Sequence, residues 1–200
     1  MSQKSAELIN PITRGPRMFA GGFDPNDFLK VIDEAKTWAD RVKLVSAYAD
    51  ERVQPGEEAL AVSRNLSAGE YFISAGLYYH YAQLSYSEDP ESKAALKVKS
   101  QEAYKKGMGL VWPPLRRLDI PHEDYTMAAY LRLPEIGAAS YPMVFLLPGV
   151  DSVKEEYFAF SEVFLKRGIA TLAFEGPGQG ETRAFRAMWN YESARTISRY

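Results

Sequence analysis

Apolar and polar residues follow two different patterns along the chain, and the pattern changes near residue 112. Before that point, apolar residues recur every three or four positions, which is the spacing of one face of an α-helix. After it, apolar residues come in short consecutive or alternating runs bounded by proline and glycine, which is typical of β-strands. We therefore predict a helical domain over residues 1–112 and an α/β domain over residues 113–200.

The helical domain is predicted to contain four or five helices, whose boundaries follow from capping and breaking residues. An aspartate before proline suits a helix start, Pro-Gly suits an end, and Ser67–Glu70 has the pattern of a capping box. The predicted segments are an irregular arm over residues 1–23, then helices from Asp24-Pro25 to Pro55-Gly56, over Glu57–Leu66, from Ser67 to about Tyr86, and from Asp89-Pro90 to near Trp112.

The α/β domain is predicted to begin with a hairpin and to continue as a parallel strand–helix–strand unit. The predicted elements are strands Leu115–Ile120 and Tyr125–Leu133 joined by a turn over Pro121–Asp124, strand Met143–Leu147, helix Lys154–Arg167 ending at Gly168, and strand Ile169–Phe174. Two apolar strands around one helix favour a right-handed parallel crossover. Ligands of open α/β sheets bind beyond the carboxyl ends of the strands, so the turns at Pro148–Asp151 and Gly176–Gly180 are the candidate site.

Composition excludes several classes of function. The 200 residues are 46% hydrophobic with a net charge of −2, which gives no electrostatic basis for binding nucleic acid or an anionic membrane. There is no cysteine and there are two histidines, so a disulfide framework and a protein-only metal site are not expected. We expect a cytoplasmic protein that acts on a small molecule, needs no cofactor, and can form a homodimer.

The glycines of Gly176–Gly180 raise the question of a phosphate-binding loop. A dinucleotide-binding turn needs G-x-G-x-x-G, but Glu181 holds the third glycine position, and no P-loop lysine follows. Glu175 and Glu181 would repel a phosphate. We interpret the segment as a tight turn that needs positive φ, with a Rossmann-like nucleotide-binding domain as a minor alternative.

The Pro148-Gly149-Val150 turn allows two interpretations that spacing alone does not separate. It is either an ordinary strand-to-helix turn, or it aims a backbone N–H, that of Val150, at a developing oxyanion. His80 and His122 are candidate bases. We favour the interpretation that His80 is packed in the helical core and that His122 is solvated in the hairpin. No G-x-S-x-G nucleophile motif occurs.

Three longer motifs carry a resemblance to a known group of proteins. They are AGEYFISAGLYYHYAQLSYSED at 68–89, PGVDSVKEE at 148–156 and RGIATLAFEGPGQGET at 167–182. In this order they resemble α/β-hydrolases of the group containing 2,6-dihydroxypseudooxynicotine hydrolase, esterase-like proteins and fungal polyketide-shortening hydrolases. Glu175 departs from the group, which usually has aspartate before G-P-G-Q-G.

The resemblance implies an α/β-hydrolase fold, of which this chain would hold the first four strands behind an α-helical cap domain. The fourth strand would lie between the second and the third. Gly149 and Val150 would form the oxyanion-hole loop, and Tyr79, His80 and Asp151 would line the substrate pocket. The nucleophilic serine, the acid and the catalytic histidine would follow in sequence, so we expect a segment of a longer enzyme that is inactive alone. A helical-repeat-like binding module is the alternative.

Overall fold

A computed structural model describes residues 11–84, 89–122, 125–135, 137–149 and 151–182. The chain forms two compact units, and the division falls between Trp112 and Pro113. The first unit is helical, and the second contains a four-stranded sheet.

The helical unit contains five α-helices in its described residues: α1 (Pro11–Gly21), α2 (Pro25–Glu34), α3 (Trp38–Ala61), α4 (Asn65–Gln83) and α5 (Pro90–Met108). The predicted start at Asp24-Pro25 is confirmed, because the Asp24 carboxylate accepts a hydrogen bond of 2.7 Å from the backbone N–H of Asn26. The start of α5 is confirmed likewise, with Asp89 accepting from the N–H of Ser92 at 3.0 Å.

Several predicted helix boundaries are wrong. The arm over residues 1–23 contains helix α1, and the long second segment divides at Thr37, which forms a capping box with Asp40. Pro55 and Gly56 lie inside α3 instead of ending it, because Gly56 lies so close to the Phe72 ring of α4 that packing outweighs the local breaking signal.

The predicted capping box at Ser67–Glu70 is also wrong, since α4 starts two residues earlier and its N-cap, Arg64, makes no side-chain capping hydrogen bond. The far end of α4 is closed by a residue from another helix. The buried Arg41 guanidinium donates to the carbonyl oxygens of Tyr81 at 2.8 Å and Leu84 at 3.3 Å. A cation thereby satisfies carbonyls that a helix end leaves open.

Glycines allow α4 and α5 to approach each other closely. A Cβ on Gly76 would lie 2.9 Å from the Ser100 carbonyl oxygen, and one on Gly107 would lie 2.7 Å from the Gly69 carbonyl oxygen. Both distances are shorter than real Cβ contacts. The helix pair therefore depends on having no side chain at these positions.

The second unit holds strands β1 (Arg116–His122), β2 (Tyr125–Arg132), β3 (Met143–Leu146) and β4 (Ala170–Phe174) in the order β1-β2-β4-β3. β2 is antiparallel to β1 and β4, while β3 and β4 are parallel. The predicted position of the fourth strand between the second and the third is confirmed. The predicted turn at Pro121–Asp124 was too long, because Pro121 and His122 belong to β1.

The connection from β3 to β4 is a 3₁₀ turn over Lys154–Tyr157 followed by helix α6 (Phe158–Leu165). Gly168 has φ of 75°, so the predicted glycine at the helix C-terminus is confirmed. The buried core of the sheet consists of Met127, Ala129, Leu172 and Phe174. Parallel pairing of β3 and β4 places both of their carboxyl ends at one edge.

Candidate active-site edge of the sheet

Two turns leave the carboxyl ends of the parallel strands β3 and β4. The first follows β3 through Pro148 and Gly149, and the second follows β4 through Gly176–Gly180. In the second turn, Gly178 has φ of 79° and Gly180 has φ of 40°, which confirms that this segment is a tight turn requiring glycine.

The side chain of Gln179 joins the two turns. Its Nε2 donates to the carbonyl oxygens of Pro148 and Gly149, both at 2.8 Å. Its Oε1 accepts from the N–H of Gly176 at 2.8 Å. The side chain is 4% exposed, and its bonds to Pro148 and Gly176 are buried, while that to Gly149 is partly buried. The amide thus donates two hydrogen bonds to the first turn and accepts one from the second. The side chain thereby links the two turns.

The carboxylate of Glu175 stabilises the start of the second turn. It is fully buried and accepts from the backbone N–H of Lys154 at 3.2 Å and of Glu181 at 2.7 Å. A Cβ on Gly180 would overlap this carboxylate. The glycine is therefore required by sterics as well as by its positive φ.

Lys154 is the cation of a buried charge cluster. Its Nζ lies 2.7 Å from Glu155, 3.0 Å from Glu181 and 3.3 Å from Glu175, in each case measured to a carboxylate oxygen. Arg117 contacts the other carboxylate oxygen of Glu181 at 2.5 Å. Two cations are thus shared among three carboxylates beside the two turns.

The charge cluster shifts the pKa values of its members. Burial alone would lower the pKa of Lys154, but the three carboxylates outweigh it and hold the pKa above the ordinary lysine value. Burial and the neighbouring Glu155 raise the pKa of Glu175, against the opposing charge of Lys154. Burial would raise the pKa of Glu181, yet Lys154 and Arg117 lower it.

This arrangement is unfavourable for a phosphate at the second turn. The N–H groups of Gly176 and Glu181 already donate to side chains of the protein. The buried carboxylate of Glu175 and the half-buried carboxylate of Glu181 flank the same turn and would repel an anion. The geometry therefore favours the structural interpretation of the glycines over the nucleotide-binding alternative.

The residues predicted for the first turn are placed as follows. Gly149 follows β3 and its carbonyl oxygen accepts from Gln179 and from the N–H of Ser152 at 3.1 Å. A Cβ at Gly149 would meet no heavy atom of the described residues within 4 Å apart from its chain neighbours, so none of them fills that side of the turn. Val150 lies outside the described residues, and Asp151 is exposed.

Tyr79 and His80, the predicted pocket residues of the helical unit, are both buried in α4. The Tyr79 hydroxyl donates to Asp50 at 2.5 Å, and burial together with that carboxylate raises the pKa of Tyr79. Tyr79 also contributes to a surface cavity of about 220 Å³ beside Lys99 and Glu102, which His80 does not line. His80 Nδ1 lies 3.1 Å from Nε2 of Gln83. Their role as substrate contacts stays a prediction.

His122, the other candidate base, is buried on β1 with its ring 5.0 Å from that of Tyr125, so the expectation of a solvated histidine was wrong. The sequence reasoning missed Gln179 and Lys154. A signal for Lys154 existed, because it directly precedes two acids and the next strand ends in a third, Glu175.

Within the described residues, no group of three or more histidine, cysteine or acidic side chains is arranged to hold a metal ion. No helix among them combines the length and apolar character needed to cross a membrane.

Comparison with known proteins connects this geometry to a family. The family described as Esterase FrsA-like matches residues 47–191. The 2,6-dihydropseudooxynicotine hydrolase of Paenarthrobacter nicotinovorans is 35% identical over 167 residues, covering 82% of this chain and 44% of that protein. The 20-hydroxy-prefusarin hydrolase FUS2 of Gibberella moniliformis is 30% identical over 186 residues, covering 88% and 40%.

Comparison with solved structures also finds a hydrolase. The crystal structure of a 2,6-dihydroxy-pseudo-oxynicotine hydrolase superposes with a TM-score of 0.77 at 33% identity, covering 91% of this chain and 51% of that one. The chain therefore spans about half the length of the relatives it matches, or somewhat less.

Proposed function

This chain belongs to the FrsA-like esterase family, and from that premise we propose that it forms one wall of a serine hydrolase site that acts on a carbonyl carbon. The family match covers residues 47–191 and so includes both turns at the sheet edge. Relatives that share these motifs are named hydrolases and esterases.

The observation that carries the proposal is the turn after β3. An added Cβ at Gly149 would meet none of the described residues beyond its chain neighbours within 4 Å, and Gln179 holds the carbonyl oxygens of Pro148 and Gly149. A rigid turn with one open side can present a backbone N–H to a developing negative charge, and such donors are usually a large term in acyl transfer. We assign that donor role to the N–H of Val150.

We place the nucleophilic serine, its acid and its histidine in a segment of the protein outside these 200 residues. The relatives are about twice as long as the matched region, and no G-x-S-x-G motif occurs in this sequence. Strand β3 supports this placement. Among the described strands β3 is an outer one. Met143, Phe145 and the following Leu147 lie on one face of it and are 41%, 53% and 53% exposed, so this apolar face suits covering by a further part of the protein.

The bond that is cleaved is either an ester or a carbon–carbon bond beside a ketone. An esterase, a 2,6-dihydropseudooxynicotine hydrolase and a 20-hydroxy-prefusarin hydrolase are among the relatives by name. We propose an aromatic or polyketide-like substrate, with Tyr79, His80 and Asp151 as contacts, on the basis of the aromatic composition of α4. The homodimer and the cytoplasmic location stay predictions.

The experiment that tests the proposal is labelling of the full-length protein that contains this chain with a fluorophosphonate probe, followed by mass spectrometry of the labelled peptide. We expect one serine to react, in a segment outside the present 200 residues and within a G-x-S-x-G sequence. Absence of labelling, or labelling of a serine within this chain, would contradict the proposed division of the site.

A further inference from the structure

We propose that Gln179 is a positioning residue for the oxyanion-hole turn. This inference rests on the proposed function, since it assigns to one side chain the orientation of the turn that would stabilise the oxyanion. It starts from a side chain that makes three hydrogen bonds to backbone atoms of the two turns.

The hydrogen-bonding pattern fixes which amide atom is which. Nε2 faces two carbonyl oxygens, those of Pro148 and Gly149, and Oε1 faces the N–H of Gly176. Rotating the amide by half a turn would set oxygen against two oxygens and NH₂ against an N–H. The site therefore requires two donors and one acceptor on one planar group, at the length of a glutamine side chain.

Burial makes these bonds consequential. Gln179 is 4% exposed and its bond to the Pro148 carbonyl is buried, so that oxygen, once released, would not regain a water partner without opening the turn. The Gly149 carbonyl is partly buried and also accepts from the N–H of Ser152, so there the amide acts on the direction of the oxygen. The Gly149 carbonyl belongs to the same planar peptide as the following N–H, which is the proposed donor. Holding this oxygen therefore restricts the direction in which that N–H can point.

The base on which Gln179 stands is itself rigid. Its backbone N–H donates to the Gly176 carbonyl at 3.1 Å. The Glu175 carboxylate, directly before the turn, accepts from the N–H of Glu181 behind it and from the N–H of Lys154 in the connection from β3 to β4. The turn after β4 thus serves as a fixed support, and Gln179 extends from it to the turn after β3. In this arrangement the sequence G-P-G-Q-G holds the turn of the neighbouring strand.

A matched control lies three residues along the same segment. The Thr182 hydroxyl accepts from the N–H of Ala128 at 2.9 Å and donates to the carbonyl of Glu175 at 2.9 Å. It is buried like Gln179 but contacts no atom of the Pro148–Gly149 turn by hydrogen bonding. Thr182→Val therefore removes buried hydrogen bonds beside β4 while leaving the link between the two turns.

The test compares Gln179→Met, Gln179→Glu and Thr182→Val in the full-length protein. Methionine keeps the length and removes every hydrogen bond, while glutamate keeps an acceptor for Gly176 and loses both donors. With p-nitrophenyl acetate as the probe substrate, we expect both Gln179 variants to lower kcat about 10–100-fold, somewhat less than outright loss of an oxyanion donor. We expect KM to change less than about threefold, because the ground-state ester does not use this donor.

Thr182→Val should lower thermal stability about as much as the Gln179 variants do. It should keep kcat within about threefold, because it leaves the first turn in place. A Gln179 variant that folds and keeps wild-type kcat, or one whose kcat falls no more than that of Thr182→Val, would overturn the positioning role.

A second measurement keeps this inference separate from the proposed function. Hydrogen exchange of the Ser152 amide, which donates to the Gly149 carbonyl, reports directly on the first turn. We expect Gln179→Met to accelerate that exchange about tenfold or more, and Thr182→Val to leave it unchanged. If the wild type neither labels nor hydrolyses the ester, the proposed function fails while accelerated exchange still supports the link. Unchanged exchange refutes the link whatever the activity.

Discussion

Replacing Lys154 by methionine removes the cation that the buried carboxylates of Glu155 and Glu175 and the half-buried carboxylate of Glu181 share. Lys154 is 1% exposed, and Glu155, Glu175 and Glu181 approach its Nζ at 2.7, 3.3 and 3.0 Å. Methionine preserves most of the side-chain volume, so the perturbation is mainly electrostatic. Removing one partner of a buried ion pair destabilises a protein by about 3–5 kcal/mol, because the other charge remains buried and uncompensated.

The loss of stability should depend on pH. Burial and Glu155 already raise the pKa of Glu175 above its ordinary 4.5, and Lys154 opposes that rise. Without the lysine the pKa rises further. A carboxyl with a raised pKa in the folded state binds a proton that the unfolded chain has released, so the unfolding free energy falls as pH increases. The variant should therefore lose more stability at about pH 8 than at about pH 5.

The assay is urea denaturation of the wild type and variants at both pH values, followed by hydrogen exchange of the β4 segment, Ala170–Phe174. Lys166→Met is the control, because Lys166 is exposed in the same unit, and we expect a change of less than about 0.5 kcal/mol. Adding Glu155→Gln to Lys154→Met should restore about 1–3 kcal/mol by removing one uncompensated charge. A loss under about 1 kcal/mol that is the same at both pH values would refute the reasoning.

Three further predictions concern two glycines in close contacts and one tyrosine of α4. Gly180→Ala should destabilise the second turn by several kcal/mol, because its Cβ would overlap the buried Glu175 carboxylate and its φ of 40° disfavours alanine; a Tm equal to wild type would contradict this. Gly76→Ala should lower the free energy of unfolding by about 1–3 kcal/mol, because it overpacks α4 against α5. Gly109→Ala should be nearly neutral in the same denaturation assay, because its Cβ would meet no atom of the described residues beyond its chain neighbours within 4 Å. Tyr79→Phe should raise KM of the natural substrate if the hydroxyl contacts it, and an unchanged KM would remove Tyr79 from the pocket.

The strands were predictable from sequence because each signal was local. Met143–Leu147 and Ile169–Phe174 are apolar runs bounded by turn residues, and the structure places β3 and β4 within one residue of each boundary. The positive φ of Gly168 was predicted for the same reason, since only a helix C-terminus needed to be identified.

Helix boundaries in the first unit were less predictable because distant contacts decide them. Pro55-Gly56 is a strong local breaking signal, yet α3 continues through it where Gly56 accommodates the Phe72 ring. The end of α4 depends on Arg41, about forty residues earlier in the chain. Neither contact has a signature within the window that sequence patterns use.

The candidate site was also predictable from sequence where its signals are local, and not where distant residues meet. The turn after β3 could be identified from its position behind a buried strand, whereas the link through Gln179 joins residues about thirty positions apart. Glu175 and Glu181 were interpreted only as charges that repel phosphate. Their partner Lys154 had a local signal in the two acids that follow it, but its contacts with Glu175 and Glu181 join residues more than twenty positions apart and appear only in the folded chain.

The measurement that tests the central claim most directly is a structure of the full-length protein with its nucleophilic serine phosphonylated. We predict that a phosphonyl oxygen lies about 2.7–3.1 Å from the backbone N–H of Val150, with Gln179 still donating to the carbonyls of Pro148 and Gly149. A phosphonyl oxygen bound by other groups, with the turn after β3 out of hydrogen-bonding reach, would contradict the account.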